Sequence, residues 1–353
     1  MSSLRVATPS RRILIVTDAW RPQINGVVRT LESVGRALSE AGHELSYLSP
    51  ELFWTVPVPS YPEIRLSLAT NRAVAARIVA SRPDHIHIAT EGPLGLLARQ
   101  YCTSRRLGFT TSFHTRFSEY LSIRVPVPQE LTYGYLRWFH GAAARTMVPT
   151  PSLSKELQAR GFANLTPWSR GVDNDRFRPG PKTMFHDLPG PHLLYVGRIA
   201  AEKNIKAFLD LDVGGSKIVV GDGPDRARLM REHPRVHFLG YAHGEELSAI
   251  YRSADVLVFP SRTDTFGNVM TEALASGTPV AAFPVTGPLD VLTDLKAGAL
   301  DDRLEVAVAR ALTLQRADAR AHGRRFTWPA SAAQFLAALA PLHAPAEQLA
   351  ATA

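Results

Sequence analysis

At 353 residues the chain is too long for one ordinary hydrophobic core and suits two domains. Its 45% apolar and 20% charged content excludes disorder, and no run approaches the ~20 consecutive apolar residues that span a bilayer. A formal charge of +8 calls for anionic partners, while the lone cysteine, Cys102, excludes an internal disulfide and fits a reducing compartment. The basic residues are scattered, without a long Lys/Arg block, so a phosphorylated substrate or an anionic lipid surface ranks above nucleic acid as a partner, and no nucleic acid is expected. Residues Met1 to Arg12 lack the apolar core of a signal peptide. The chain reads as cytoplasmic, with a peripheral position at the inner membrane face as the variant.

Arg12–Thr17 is nearly continuous in apolar residues, the pattern of a strand buried on both faces of a parallel sheet. A loop from Asp18 to Gly26 leads into a helix carried by Val27, Val28, Leu31, Val34 and Leu38, which stops at Gly42. Asn25-Gly26 at its mouth is either a plain turn or a place where backbone approaches a phosphate or sugar. His43–Leu48 is a second strand. Glu51–Pro62, with Trp54, Tyr61 and several prolines, reads as a rigid irregular loop rather than a sheet element. A helix over 71–80 presents Arg72 and Arg77; the strand His85–Thr90, a helix to Leu107 and the strand Phe109–Thr115 follow. His114 stands at the C-terminal end of that last strand, where open α/β sheets bind ligands, although a lone His also serves as a hydrogen-bonded structural group. An aromatic helix carries Tyr133, Tyr135, Leu136, Trp138 and Phe139, a stripe suited to a core or to a lipid surface. Thr146–Thr150 and Leu165–Ser169 close this half, and Arg170–Gly180 with its continuation to Pro191 reads as a linker.

The second half repeats the alternation, with strands at His192–Val196, Lys217–Val220, Val236–Leu239, Asp255–Phe259 and, last, Pro279–Phe283. Helices are expected at Lys203–Leu211, Asp225–Glu232 and Glu245–Ser253. The domains are therefore placed at 1–178 and 179–353. After the first of these strands, Arg198 and Lys203 flank a turn into a helix, so two cations and helix N–H groups converge on one spot. Gly221-Asp222-Gly223-Pro224 fails as a dinucleotide fingerprint, because Arg226 occupies the third glycine position. Asp173-x-Asp175 and Asp210-x-Asp212 have the spacing of metal-binding carboxylates, but one lies in the linker and the other at a helix end. Both read as decoys, and no metal or other cofactor is expected. Residues 301–314 are helical, a further helix runs from Trp328 through Phe335 to Leu339, and the tail from Pro341 reads as frayed.

One stretch organises the chain. The strand ending at Phe259 runs into a polar loop holding Asp264, and a helix begins near Gly267 or Asn268 with Glu272 one to two turns in. Two carboxylates thus flank a helix N-terminus that can hold an anion, which suits a ligand with hydroxyls on either side of a phosphate. The stretch resembles the E-x7-E signature of retaining glycosyltransferases of family four, and the resemblance runs from Arg12 to about Leu339. This chain departs from the signature in having Asp264 where the family has Glu, one methylene longer. The resemblance implies an α/β GT-B fold, two doubly wound Rossmann-like domains facing a cleft, with the last helix (about 327–340) crossing back to the first domain. It implies transfer of a hexose from a nucleoside-diphosphate sugar to a lipid or glycan acceptor with retention. The alternatives are a sugar-nucleotide epimerase of the same fold and a non-catalytic sugar-nucleotide-binding protein. In the implied site Arg198 and Lys203 meet the diphosphate and Glu272 the ribose. Asp264 and His114 meet the transferred sugar, and Asn25, Gly26, Gly221, Phe266, Gly267, Asn268 and Val269 line the donor. Arg116, Glu119 and Tyr120 would face the acceptor. Trp20–Gly26 and Pro284–Pro288 most resemble bacterial GDP-mannose-dependent mannosyltransferases, and more loosely enzymes glycosylating diacylglycerol. With the positive charge, Trp54 and Trp138, a lipid acceptor would bring a transient contact with an anionic membrane.

Overall fold

The computed structural model describes residues 9–23, 25–58, 61–114 and 128–343. Among them, two sheets of six parallel strands carry the architecture, one from each half of the chain. The first comprises β1 (Arg12–Val16), β2 (Glu44–Leu48), β5 (His85–Ile88), β6 (Thr110–Ser112), β7 (Arg145–Val148) and β8 (Leu165–Pro167), in the order β2-β1-β5-β6-β7-β8. The second comprises β9 (His192–Val196), β10 (Ser216–Val220), β11 (His237–Gly240), β12 (Val256–Phe259), β13 (Val280–Ala282) and β14 (Gly298–Leu300), in the order β11-β10-β9-β12-β13-β14.

Side-chain alternation explains why these runs become central strands. Ile13 and Ile15 of β1 join one core with Leu31, Val34 and Leu38, whereas Leu14 and Val16 join another with Ile86, Ile88, Leu94 and Phe139. In the second sheet Leu194, Ile218 and Leu257 face one core, and Leu193, Val219 and Val256 the other. Each fully buried side chain of this kind contributes about 1.5–3 kcal/mol. Cys102 belongs to the first half's interior, and burial pushes its thiol up to about 12, as a packed rather than reactive group requires.

The chain passes between the halves twice, side by side, and Val172 bridges Thr327 where the two crossings meet. Thr327 then caps the helix Trp328–Ala338 through the Ala330 amide, at 3.3 Å. That helix packs in the first half's core: Phe335 lies edge-on to His87, and Trp168 Nε1 donates to Ser331 Oγ at 3.1 Å.

Three sequence expectations require correction. Thr55–Val58 (β3) and Tyr61–Ser67 (β4) form a two-stranded antiparallel ribbon where an irregular loop was expected. Pro57 is accommodated because a two-stranded ribbon has only edge strands, so a missing N–H need not break a ladder. Pro279–Phe283 does not end the second sheet, since β14 pairs alongside β13. The expected fraying does not begin at Pro341: the Leu342 carbonyl accepts from the Gly108 amide at 2.8 Å, and the Leu342 amide donates to the Asp84 carbonyl at 3.2 Å. No helix among the described residues is long and apolar enough to cross a membrane.

Candidate functional site

In the first sheet the strand order reverses between β1 and β5, and in the second between β9 and β12. Loops leaving adjacent strands at such a point diverge and leave a crevice at the C-terminal strand ends. The loops after β9 and β12 are tied together there. Asn204 Nδ2 donates to the Pro260 carbonyl at 3.0 Å, and Thr263 Oγ1 to the Glu202 carbonyl at 3.1 Å. Lys203, closing the 3-10 turn Ala201–Lys203, therefore reaches Asp264 Oδ1 at 2.5 Å, the two side chains being 22% and 17% exposed. Half-buried Arg198 precedes them, its carbonyl accepting from the Tyr195 hydroxyl at 2.7 Å. The turn after β10 closes against the same corner, because a Cβ on Gly221 would stand 2.0 Å from the Gly197 carbonyl oxygen.

The helix Asn268–Ala275 starts from Gly267, which adopts φ +88 and offers no side chain to cap the first amides. A Cβ at Gly267 would meet Met270 Cε at 2.7 Å and Phe259 Cζ at 2.9 Å, so the turn depends on glycine in both conformation and space. Phe266 turns its ring into the core, edge-on to Phe326, and offers only backbone here. Val269 also packs against that core.

A second helix start faces this one. Asn25 Oδ1 accepts from the Val27 and Val28 amides, each at 3.0 Å, so its side chain caps the helix Gly26–Glu40. A Cβ on Gly26 would lie 3.6 Å from Asn268 Nδ2, which places the two first turns in apposition across the cleft. One turn further along both helices, Arg29 Nη1 donates to Glu272 Oε1. Glu272 is 4% exposed, and its other oxygen accepts from the Tyr251 hydroxyl at 2.9 Å. The Glu272 charge raises Arg29 above its ordinary value, while burial and the same carboxylate push the Tyr251 phenol well above its own. Both groups are donors throughout the working pH range.

His114 approaches from the first half. Its carbonyl accepts from Thr265 Oγ1 at 2.8 Å, joining the β6 end to the Asp264 loop. Arg170 Nη2 lies 3.3 Å from His114 Nδ1. A guanidinium only donates, so Nδ1 accepts and the proton resides on Nε2, which is buried and has no hydrogen-bond partner among the described residues. Burial, then Arg170, His87 and His140, holds His114 well below the usual imidazole range. It is a neutral ring with one N–H to give. Arg170, assigned by sequence to the linker, is instead buried over the Trp168 ring at 4.3 Å, and burial lowers it to about 9.

The structure thus gathers Asn25, Gly26, His114, Arg198, Lys203, Gly221, Asp264, Gly267, Asn268 and Glu272 around the two reversal points. Sequence reasoning missed Arg29, Tyr251 and Arg170. Only Arg29 carried a local signal, lying one helical turn beyond Gly26. Arg116, Glu119 and Tyr120 lie outside the described residues. The two Asp-x-Asp segments have local partners: Asp173 Oδ1 accepts from the Arg176 amide at 3.0 Å, and Asp210 pairs with Lys206 at 2.9 Å.

Residues 24–176 match the family model described as Glycosyltransferase Family 4, and residues 190–314 that of Glycosyl transferases group 1. The chain is 31% identical to a GDP-mannose-dependent alpha-mannosyltransferase of Mycobacterium tuberculosis, over 84% of this chain and 87% of that one. It is 25% identical to the alpha-monoglucosyldiacylglycerol synthase of Acholeplasma laidlawii, over 76% and 79%. Its fold matches the solved structure of sucrose-phosphate synthase from Thermosynechococcus elongatus with a TM-score of 0.76 at 22% identity, covering 97% of this chain and 100% of that one. The architecture is GT-B.

Proposed function

This chain belongs to glycosyltransferase family 4, and we propose that it moves a hexose from a nucleoside-diphosphate sugar to a hydroxyl of a lipid or glycan, with retention of anomeric configuration. GDP-mannose is the leading donor, on the similarity to the mycobacterial mannosyltransferase, with a UDP-hexose second. The family match and the mannosyltransferase relatives favour transfer over epimerisation or simple binding.

In this reading residues 179–353 hold the donor and residues 1–178 the acceptor. Arg198 and Lys203 meet the diphosphate, and the amides of Gly267 to Val269 add the positive end of a helix. As the bond from the sugar C1 to the diphosphate oxygen breaks, the electron pair stays on that oxygen, where these groups stabilise the growing charge, while the acceptor hydroxyl oxygen bonds C1 from the same face and its proton passes to the leaving diphosphate. Fixed cations supply this stabilisation without a metal. Glu272 accepts from the ribose hydroxyls, Asp264 from the sugar, and neutral His114 offers its Nε2–H to the sugar side. No protein nucleophile is assigned.

The observation that carries the reading is the Lys203–Asp264 pair at the β9/β12 reversal, beside a helix started by Gly267, which has no side chain to cap the first amides. Replacing Arg198 or Lys203 by Ala should weaken nucleoside-diphosphate binding by roughly 10–100-fold with the fold intact, the cost of a lost charge-assisted hydrogen bond. Unchanged affinity in both variants removes the assignment.

Trp54 is 87% exposed and Trp138 54% exposed, and both belong to the half assigned to the acceptor. With the net positive charge they support a transient contact with an anionic membrane, at the cytoplasmic face. Flotation with anionic but not neutral liposomes is the expected result. Failure with both points to an acceptor in solution.

A further inference from the structure

Glu272, the carboxylate assigned above to the ribose, is already occupied. Its 5% exposed side chain is fixed by Tyr251 within its own half, and its second oxygen is held by Arg29 from the opposite half. Arg29 is the movable member, with 42% of its side chain exposed. A ribose hydroxyl that donates to Glu272 Oε1 competes with that guanidinium for the same oxygen. Displacing Arg29 without a replacement would leave its charge unpaired in the cleft.

The geometry provides a replacement. Arg29 lies one turn inside the helix Gly26–Glu40, and Glu272 one turn inside the helix Asn268–Ala275, with the two helix starts facing each other at Gly26 and Asn268. Long helical side chains point back toward the N-terminus of their own helix. A guanidinium leaving Glu272 therefore swings toward the space between the two helix starts, where the donor phosphates are assigned. We propose that Arg29 is a donor-binding residue supplied by the first half: it rests on Glu272 in the empty protein and is handed to the donor diphosphate when the ribose takes Glu272. One anionic partner is exchanged for another, the first half gains a contact to a ligand carried by the second, and a nucleoside without phosphates is penalised. The inference rests on the assignment of Glu272 to the ribose.

The test compares guanosine and GDP binding to the wild type and to Arg29→Gln, Arg29→Lys and Glu272→Gln, with melting temperatures as the fold control. The hand-over predicts opposite signs for Arg29→Gln. Guanosine binds more tightly, because its competitor for Glu272 is gone, while GDP binds more weakly by roughly tenfold or more, because a charge-assisted phosphate contact is lost. Arg29→Lys keeps the charge without the fork and retains more of the GDP affinity. If Arg29→Gln fails to fold, Arg29→Lys carries the same sign test at smaller amplitude. Tighter binding of both ligands makes Arg29 a mere competitor; weaker binding of both, or no change, leaves the bridge without an exchange. Any of these three overturns the proposal. Glu272→Gln separates the two layers of the argument. A fall in guanosine affinity sustains the ribose assignment whatever Arg29 does, whereas an unchanged affinity removes that assignment and the hand-over with it.

Discussion

Asp264→Asn isolates one charge in the middle of the proposed site. The carboxylate is 2.5 Å from the Lys203 ammonium, and about a fifth of each side chain reaches solvent. Removing one member of a fully buried pair costs about 3–5 kcal/mol, whereas exposed pairs are worth about 0–1 kcal/mol. With water screening part of this pair, the loss in stability should be about 1–2 kcal/mol, a fall in Tm of roughly 2–6 °C. Affinity for GDP should hold or rise, because Lys203 no longer shares its charge with the Asp264 carboxylate. Transfer should fall by roughly 10–100-fold, since the sugar loses a charge-assisted hydrogen bond of about 1.5–3 kcal/mol. Asp264→Glu restores the family residue, but the added methylene moves the carboxylate relative to Lys203 and the sugar, so turnover should fall there as well. Calorimetric GDP binding, melting curves and a transfer assay on both variants read all three quantities. Transfer near the wild-type rate by Asp264→Asn would refute the sugar contact and with it the role of this loop.

Three further outcomes follow from the packing. Gly267→Ala forces a β-carbon at φ +88 into Met270 and Phe259; a left-handed alanine costs about 1–2 kcal/mol and overpacking about 1–3 more, so GDP binding should weaken as the Asn268 helix start shifts, and a wild-type titration would contradict this. Phe335→Ala removes a ring packed between His87 and Trp168 and should destabilise by about 3–5 kcal/mol in denaturant unfolding; a loss under 1 kcal/mol would mean that the last helix is not part of the first core. Burial lowers His87 to about 3 and holds His114 well below 6.5, so the unfolded chain binds more protons than the folded one as pH falls below about 6.5. Stability should drop on that side by up to about 1.4 kcal/mol per pH unit for each ring, down to about pH 3 for His87, and His87→Gln should remove one such share from the slope of unfolding free energy against pH; an unchanged slope would refute it.

The fold was readable wherever a physical pattern was local. Ile13–Val16 and Val256–Phe259 announce themselves as central parallel strands because both faces are buried and the whole run must be apolar. The β3–β4 ribbon escapes a sequence reading because its prolines argue against a sheet, although edge strands admit them. β14 escaped because Gly298-Ala299-Leu300 is too short for any periodicity to register. In the site, Asp264, Lys203 and Arg198 were legible from strand-end position and charge. Their pairing was not, since Lys203 and Asp264 are 61 positions apart. Arg29 and Glu272, 243 positions apart, meet only because two helix starts face each other across the cleft. The histidine at the β6 end was visible, but its tautomer depends on Arg170, which sequence composition assigns to a linker.

The central claim is that the cleft activates the sugar–diphosphate bond of a nucleotide sugar with fixed cations. Proton NMR of GDP-mannose incubated with the protein and EDTA, first without acceptor and then with diacylglycerol-based and glycan acceptors, tests it most directly. Slow release of GDP and mannose is expected without acceptor, then faster formation of an α-mannoside with an acceptor, both unaffected by EDTA. Accumulation of an isomerised GDP-sugar, or activity that disappears with EDTA and returns with Mg²⁺ or Mn²⁺, would contradict it.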